Sequence, residues 1–311
     1  MFPVVHSFSI IVPTIGRHAL LARLLSSIAR QRHPVLEVII VDQSPAAVDI
    51  KELLAALSAG AMTPRLRYVH APQIRGAAEA RNYGALIAGG EILLFLDDDV
   101  TIDEDFVYWL ARAFEDRTVA GAAGMINDAN GRRPSAIYRF FFQLFYVGEF
   151  RQRRQEIWWS NHKGLALTNT LPGVVAYRKS IWSEYRFDEA LTGHSLGEDI
   201  DLSYRVGKKR KLVIDTRAHC LHYSAPAPYK RERRVMTAII AFYHYHFRKN
   251  MRGTPLQWFQ FAWINVGYLL FTIAQCDHDR LLGLGDGWRE IMRRGVAYRP
   301  KPEQVPARAD H

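Results

Sequence analysis

The sequence predicts an α/β fold built on a mostly parallel sheet with helices on both faces. Three observations predict it. Strand-like and helix-like segments alternate through the first hundred residues, the strand-like runs are short and apolar, and polar residues stand at their carboxyl ends. Phe8 to Val12 is a first strand, punctuated by Pro13-Thr14 and Gly16. Leu20, Leu21, Leu24, Leu25 and Ile28 then recur at helical spacing. Leu36 to Val41 is a second strand ending at Asp42, and a helix follows around Ile50 to Leu57. Leu66 to His70 is a third strand, Gly76 to Ala88 an Ala-rich helix, and Glu91 to Leu96 a fourth strand that runs into three aspartates. Ligands of such sheets bind at the carboxyl ends of the strands, where Pro13-Thr14, Asp42 and the aspartates would converge on one crevice.

The second half is less regular. Val119 to Ile126 and Val174 to Tyr177 read as strands, with a small helix near Lys179 to Tyr185. The stretch from about Arg132 to Trp159 is aromatic and basic together. Gly197 to Arg205 looks like a helix start with carboxylates in its first turn, where the helix dipole favours them. Lys211 to Ile214 reads as an edge strand, and Val235 to Gln275 is largely apolar and helical.

The chain has 311 residues, enough for one large domain or two small ones, with a globular balance of 49% hydrophobic and 23% charged residues. Only the ends are expected to be loose, notably Arg299 to His311. The net charge of +10 favours anionic partners such as nucleotides or lipid headgroups, although part of it is solvated surface. Zinc-finger spacing and RNA-binding aromatic signatures are missing, so nucleic acid is not expected. Two distant cysteines, Cys220 and Cys276, make neither a metal pair nor a disulfide scaffold and fit a reducing compartment. Met1 to Ser7 lacks the charged start and long apolar run of a signal peptide.

Asp97, Asp98 and Asp99 carry the first chemical signal. Three adjacent carboxylates repel one another and are costly to gather without a cation. Hard ions such as Mg²⁺ or Mn²⁺ take oxygen ligands and are shared with phosphates. The plainer alternative is an acidic turn before a helix starting near Asp103.

The residues around that run sharpen the picture. Ser9-Ile-Ile-Val-Pro-Thr14, Val38-Ile-Ile-Val-Asp42, Ala80-Arg-Asn82, Asp97-Asp-Asp99, Phe187-Asp-Glu189 and Gly197-Glu-Asp199 follow one another in order over roughly residues 8 to 225. Together they resemble the inverting family 2 glycosyltransferases of the GT-A, Rossmann-like fold. The resemblance implies that Pro13, Thr14 and Asp42 surround the nucleobase and ribose of a nucleotide-diphosphate sugar. A second acidic residue common after that strand is replaced here by Gln43. Arg75 and Arg81 would stand near the donor, where a guanidinium can grip phosphate oxygens, or else pack as ordinary surface and helix arginines. Asp97 and Asp99 match the outer positions of the DxD motif. Asp99 is then the first choice of metal ligand, Asp97 a ligand or ribose contact, and Asp98 part of the donor site. His222 is implied as a further ligand, with a core-bonded histidine as the alternative and His219 as a weaker candidate.

Glu198 and Asp199 match the family's ED motif, in which the Asp acts as base and Asp201 is a nearby rival. The chemistry needs one carboxylate to take a proton from the acceptor hydroxyl as it attacks the anomeric carbon. The resemblance therefore implies a metal-dependent inverting hexosyl- or deoxyhexosyltransferase acting on a glycan or lipid-linked acceptor. It also implies a catalytic domain over residues 1–230, divided near 125 into a nucleotide-sugar half and an acceptor half. A helical, aromatic-basic extension over 231–298 and a tail over 299–311 would follow. Two other functions share parts of the pattern. A sugar-phosphate nucleotidyltransferase would need a Gly-rich basic loop after the first strand, of which Pro13 to Arg17 is a poor version. A non-catalytic nucleotide- or glycan-binding scaffold is opposed by the intact carboxylates at both places.

Leu256 to Cys276 contains no charged residue and is close to the roughly 20 residues needed to span a bilayer. Gln257, Gln260, Asn265 and Gln275 dilute it and both flanks are basic, which favours an interfacial or partly buried helix. Peripheral contact with the cytoplasmic face of a membrane is expected. Donor sugar, nucleobase, acceptor, linkage and oligomeric state, a dimer included, stay open.

Overall fold

The computed structural model describes residues 6–58, 60, 63–131, 133–191, 196–223 and 231–294. The tail expected to be loose, 299–311, lies outside them. The first half follows the predicted order: β1 (Phe8–Thr14), α1 (His18–Ala29), β2 (Glu37–Asp42), α2 (Ile50–Leu57), β3 (Arg65–His70), α3 (Ala77–Ile87) and β4 (Ile92–Phe95). A short β5 (Val100–Ile102), which the sequence did not suggest, and α4 (Phe106–Ala113) lead to β6 (Val119–Asp128). The aromatic-basic stretch forms two helices, α5 (Ala136–Phe145) and α6 (Arg153–Trp159). Then come β7 (Leu165–Thr168), β8 (Val175–Arg178), α7 (Glu198–Gly207) and β9 (Lys211–His222). The helix expected near Lys179 is a short 3₁₀ turn, Lys179–Ser183.

The strands form one sheet in the order β3-β2-β1-β4-β8-β6-β9-β5, with β7 also pairing β9. Six of the described strands, β1, β2, β3, β4, β6 and β9, share one direction, and β5, β7 and β8 oppose them. The sheet is therefore mixed but mostly parallel. Strand β9 corrects the expectation of a short edge strand: it runs 12 residues inside the sheet, between β6 and β5. Its apolar run is interrupted by Asp215, whose fully buried carboxylate accepts two bonds from Arg217, at 2.9 and 2.7 Å. The Arg217 guanidinium in turn lies over the Trp109 ring.

Both faces of the sheet are covered, as successive side chains of a strand point to opposite sides. Ile10 and Val12 of β1, Val38 and Ile40 of β2, and Leu94 of β4 pack with Leu21, Leu24 and Leu25 of α1 and with Phe106 of α4. Ile11, Ile39, Val41, Leu93 and Phe95 face the other layer, with Ala78 and Ala85 of α3, Trp182 and Leu202 of α7. Gly84 of α3 belongs to this contact, since a Cβ there would lie 2.4 Å from Ile11 Cγ2.

Three helices end the described chain: α8 (Arg231–Asn250), α9 (Pro255–Ala274) and α10 (His278–Arg294). Thr254 caps α9 through a capping box with Gln257, and Pro255 occupies the first turn, which separates α8 from α9. These helices carry their own aromatic core, including Phe242, Tyr243, Phe247, Phe261 and Ile264. Helix α9 is half-buried: Phe261 and Ile264 face inward, whereas Phe259 and Ile273 are exposed. Among the described residues no helix is long and apolar enough to cross a membrane.

Candidate active site

The carboxyl ends of β1 and β4 meet as the alternation predicts. Pro13 and Thr14 are buried at the end of β1, and the Thr14 hydroxyl donates to Asp98 Oδ2 at 2.7 Å. Asp42 ends β2 beside Thr14 but does not reach the aspartates. Its buried carboxylate accepts from Ser44 N at 2.9 Å and from the Tyr68 hydroxyl at 2.6 Å. Burial and that carboxylate push the Tyr68 hydroxyl up to about 12. Arg75 is exposed before α3, where its backbone N–H bonds Glu79.

Every carboxylate of the 97–99 run has a cationic partner from the protein itself. Arg17 Nη1 bonds Asp98 Oδ1 at 3.1 Å and Asp99 Oδ2 at 2.9 Å. Arg81 bonds Asp97. His222 Nε2 lies 3.3 Å from Asp99 Oδ1. Burial pushes Asp98 up to about 6, against the pull of Arg17 and Thr14. Burial also acts on Asp99, but His222 and Arg17 outweigh it and hold that carboxyl below its ordinary value. The bond to Asp99 raises His222. The repulsion that the sequence seemed to require a metal to relieve is thus met by arginine and histidine.

Asp99 and His222 offer a carboxylate and an imidazole side by side, a pairing more suited to Mn²⁺ than to Mg²⁺, which takes oxygen ligands. Asp97, expected as a third ligand, is held by Arg81 instead, and among the described residues no three His, Cys, Asp or Glu side chains are grouped to enclose an ion. Of the three residues expected as ligands, Asp99 and His222 lie together, paired with each other, and Asp99 also with Arg17.

Arg81 also joins the two acidic segments. Its guanidinium, 4% exposed, pairs with Asp97 on one side and with Glu198, at the start of α7, on the other. It lies 5.4 Å from the centre of the Phe187 ring. Asn82, the next residue of α3, donates to the Phe187 carbonyl at 2.9 Å and to Glu189 at 2.8 Å, and accepts from the Phe187 N–H at 3.0 Å. Two motifs about a hundred residues apart are therefore one hydrogen-bonded unit. Gly197 has φ of 84°, and a Cβ on it would lie 2.4 Å from the Phe242 ring, so α8 packs directly over the turn that delivers Glu198 and Asp199.

Asp199 is held differently. Arg154 of α6, itself buried, bonds Asp199 Oδ2 at 2.8 Å and the Leu171 carbonyl at 2.6 Å. Arg154 bonds Gln152 at 3.3 Å, Gln152 bonds the Tyr243 hydroxyl at 3.0 Å, and Tyr243 donates to Tyr146 at 3.3 Å. The Tyr146 and Tyr268 hydroxyls are bonded in turn. Burial pushes all three tyrosines above their ordinary value, so the hydroxyls are neutral. Asp201, the rival base, is fully buried and accepts from Arg205 at 2.9 Å, Lys249 at 2.8 Å and Asn250 at 2.8 Å. Burial alone would raise its pKa, but His246, Arg205 and Lys249 hold it well below the carboxylate range. It ties α7 to α8 and has no route to a substrate hydroxyl.

Sequence reasoning missed Arg17, Arg154, Gln152 and Tyr243. Arg17 stood in a loop already noted, directly before a helix and after a strand end. Arg154 carried no signal, since it sits among Arg151, Arg153 and aromatics that read as surface.

Comparisons with known proteins bear on family and fold. The pattern described as Glycosyl transferase family 2 matches residues 9–176, more than half of the chain. The Escherichia coli (strain K12) glycosyl transferase WcaA, provisionally assigned to colanic acid biosynthesis, is 35% identical over 92 residues. That match spans 29% of this chain and about a third (32%) of the relative. Staphylococcal (S. aureus) TarS 1-349, solved in complex with UDP-GlcNAc, superposes with a TM-score of 0.54 at 15% identity, over 93% of this chain and 92% of that one. A mannosyltransferase of Pyrobaculum calidifontis, PcManGT, in complex with GDP-Man and Mn²⁺, superposes with a TM-score of 0.55 at 19% identity, over 93% and 75%. At these identities the structural likeness shows a shared GT-A-type fold.

Proposed function

The chain belongs to glycosyl transferase family 2, and from that premise we propose that it moves a hexosyl or deoxyhexosyl group from a nucleotide-diphosphate sugar to an acceptor hydroxyl, with inversion. The observation that carries this reading is Arg81 pairing at once with Asp97 and Glu198, which brings the donor-side and acceptor-side carboxylates to one place. On the donor side, Thr14 and Asp98 stand at the strand ends where the nucleotide would lie, with Pro13 and Asp42 buried beneath it. Arg17, bonded to Asp98 and Asp99, is placed to meet the diphosphate, and Arg75, exposed before α3, is a second candidate. Asp99 and His222 would hold a divalent ion, which neutralises charge on the departing diphosphate. A nucleotide sugar and Mn²⁺ in a protein of the same fold support that choice.

Asp199 is our choice of base because it borders a cavity in which an acceptor can sit, whereas Glu198 is closed off by Arg81. The acceptor oxygen forms a bond to the anomeric carbon as the bond to the diphosphate oxygen breaks. The hydroxyl proton passes to Asp199, and the electron pair leaves with the nucleoside diphosphate. Arg154 fixes the orientation of the carboxylate from behind. The exposed apolar residues of α5 and α9 support peripheral membrane contact, and the acceptor is a glycan or a lipid-linked molecule.

Asp199→Asn tests the assignment. It should retain nucleoside diphosphate binding in a thermal-shift titration with Mn²⁺, while transfer falls by about 10²–10⁴-fold. Full activity in this variant would remove Asp199 from the base role.

A further inference from the structure

Between α5, α8, α9 and the start of α7 lies a cavity of about 510 Å³, within the usual range for small-molecule sites. Its wall is largely aromatic and aliphatic, with Phe142 and Phe145 from α5, Ile239 from α8 and Phe271 from α9. At one place it is bordered by Asp199 and Arg154. Elsewhere it is bordered by Glu232 and Arg280, an ion pair at 2.8 Å. Glu232 lies ten residues before Phe242, whose ring packs on Gly197. At the helical rise this places the two polar borders about 15 Å apart along α8.

We propose that this cavity binds the apolar chain of the acceptor, an alkyl or isoprenoid segment of about a dozen carbons at covalent bond spacings, with its hydroxyl-bearing head at Asp199. This rests on the reading of Asp199 as base. The lining selects the class. A glycan would need polar partners for its own hydroxyls, but of the wall's four tyrosines, Tyr138, Tyr146, Tyr243 and Tyr268, the last three have hydroxyls bonded to one another and to Gln152. What they present to the cavity is ring surface, which favours an apolar occupant. The same helices expose apolar residues on their outer side: Ile137 and Phe140 of α5 are 66% and 62% exposed, and Phe259 and Ile273 of α9 are 59% and 55%. A chain drawn from a bilayer would therefore meet apolar surface on both sides of the α5–α9 wall.

The test uses the full chain and n-dodecyl β-D-glucoside below its micelle concentration, followed by calorimetric titration, with glucose as the chainless control. One-to-one binding of the glucoside and none of glucose is expected. Val235 and Ile239 line the cavity and are only partly buried, so Val235→Trp and Ile239→Trp can fill it with the fold checked by melting. Each variant that folds should weaken glucoside binding at least tenfold and leave binding of a nucleoside diphosphate with Mn²⁺ unchanged. Undiminished glucoside binding in both folded variants would overturn the proposal. So would glucose binding as tightly as the glucoside, which would mark an aromatic sugar platform, or wild-type protein that takes the nucleotide but not the glucoside. Nucleotide binding reports separately on the donor side, so loss of the chain site leaves the glycosyl-transfer reading standing.

Discussion

Replacing Arg81 with leucine removes a side chain that pairs with both acidic segments, through Asp97 and Glu198. The guanidinium is 4% exposed and Glu198 is 6% exposed, whereas Asp97 is 35% exposed. Breaking a buried pair by deleting one partner costs about 3–5 kcal/mol, because the other charge stays buried without compensation. The Asp97 side contributes little of this, since water screens it, so the lower part of the range is expected. For a chain of 311 residues, an unfolding entropy of about 2.1 cal/mol/K per residue gives roughly 0.65 kcal/mol per degree. The melting temperature should therefore fall by about 5 °C in a calorimetric scan. Arg81→Leu combined with Glu198→Gln removes the stranded charge as well, and should recover more than half of the loss. An Arg81→Leu melting temperature within about 1 °C of the wild type, or a double variant no more stable than the single one, would refute the bridge and the joining of the two segments.

Two further outcomes follow from buried contacts. Asp201 is held ionised in the folded protein far below its unfolded value of about 3.9, so the unfolded chain takes up a proton first as pH falls. Its stabilisation is present above about pH 4 and is lost as pH falls towards the folded pKa; Asp201→Asn should flatten that part of the stability–pH curve, and an unchanged slope by denaturant titration would rule Asp201 out as the source. Gly84→Ala places a methyl group 2.4 Å from Ile11 Cγ2, in a fully buried β-branched side chain. Overpacking of about 1–3 kcal/mol should exceed the helix-propensity gain of about 1 kcal/mol, so the variant should melt lower, and one that melts higher would show that α3 does not pack this closely on β1.

The parts legible in the sequence share a physical character. Strands β1, β2 and β4 are buried on both faces, so their apolar runs identify them without ambiguity. The aspartates were legible because a carboxylate triplet at a strand end is hard to explain otherwise. What the sequence hid are residues whose meaning depends on a distant partner. Arg154 resembles its exposed neighbours until the fold brings Asp199 to it. Asp215 is a different case: it reads as the end of a strand because a charge rarely sits inside one, although its neutralising partner, Arg217, lies only two residues on in β9. Helix α10 falls inside the helical extension expected over 231–298, but its separate bounds were not legible, since Arg280 and Asp286 pair with α8 residues while Leu284 and Ile291 pack against the same helix.

The same device appears twice around α7, and the repetition says where the site is held from. Arg81 comes from α3 beneath the sheet and fixes Glu198, whereas Arg154 comes from the segment beside the C-terminal helices and fixes Asp199. Neighbouring carboxylates on one helical turn are thus oriented by opposite halves of the molecule. Behind Arg154 the support passes through Gln152 to Tyr243 of α8, and Phe242 closes over Gly197. Helix α8 therefore bears on Asp199 from two sides, through packing and through hydrogen bonds. A truncation before α8 would leave the sheet, the Asp97–Arg81–Glu198 bridge and the Arg154–Asp199 pair in place but remove both contributions of α8, the Tyr243 bond behind Gln152 and the Phe242 contact on Gly197. On the proposed reading of Asp199 as base, the C-terminal helices would act on the acceptor side of the reaction, where their aromatic cavity also lies.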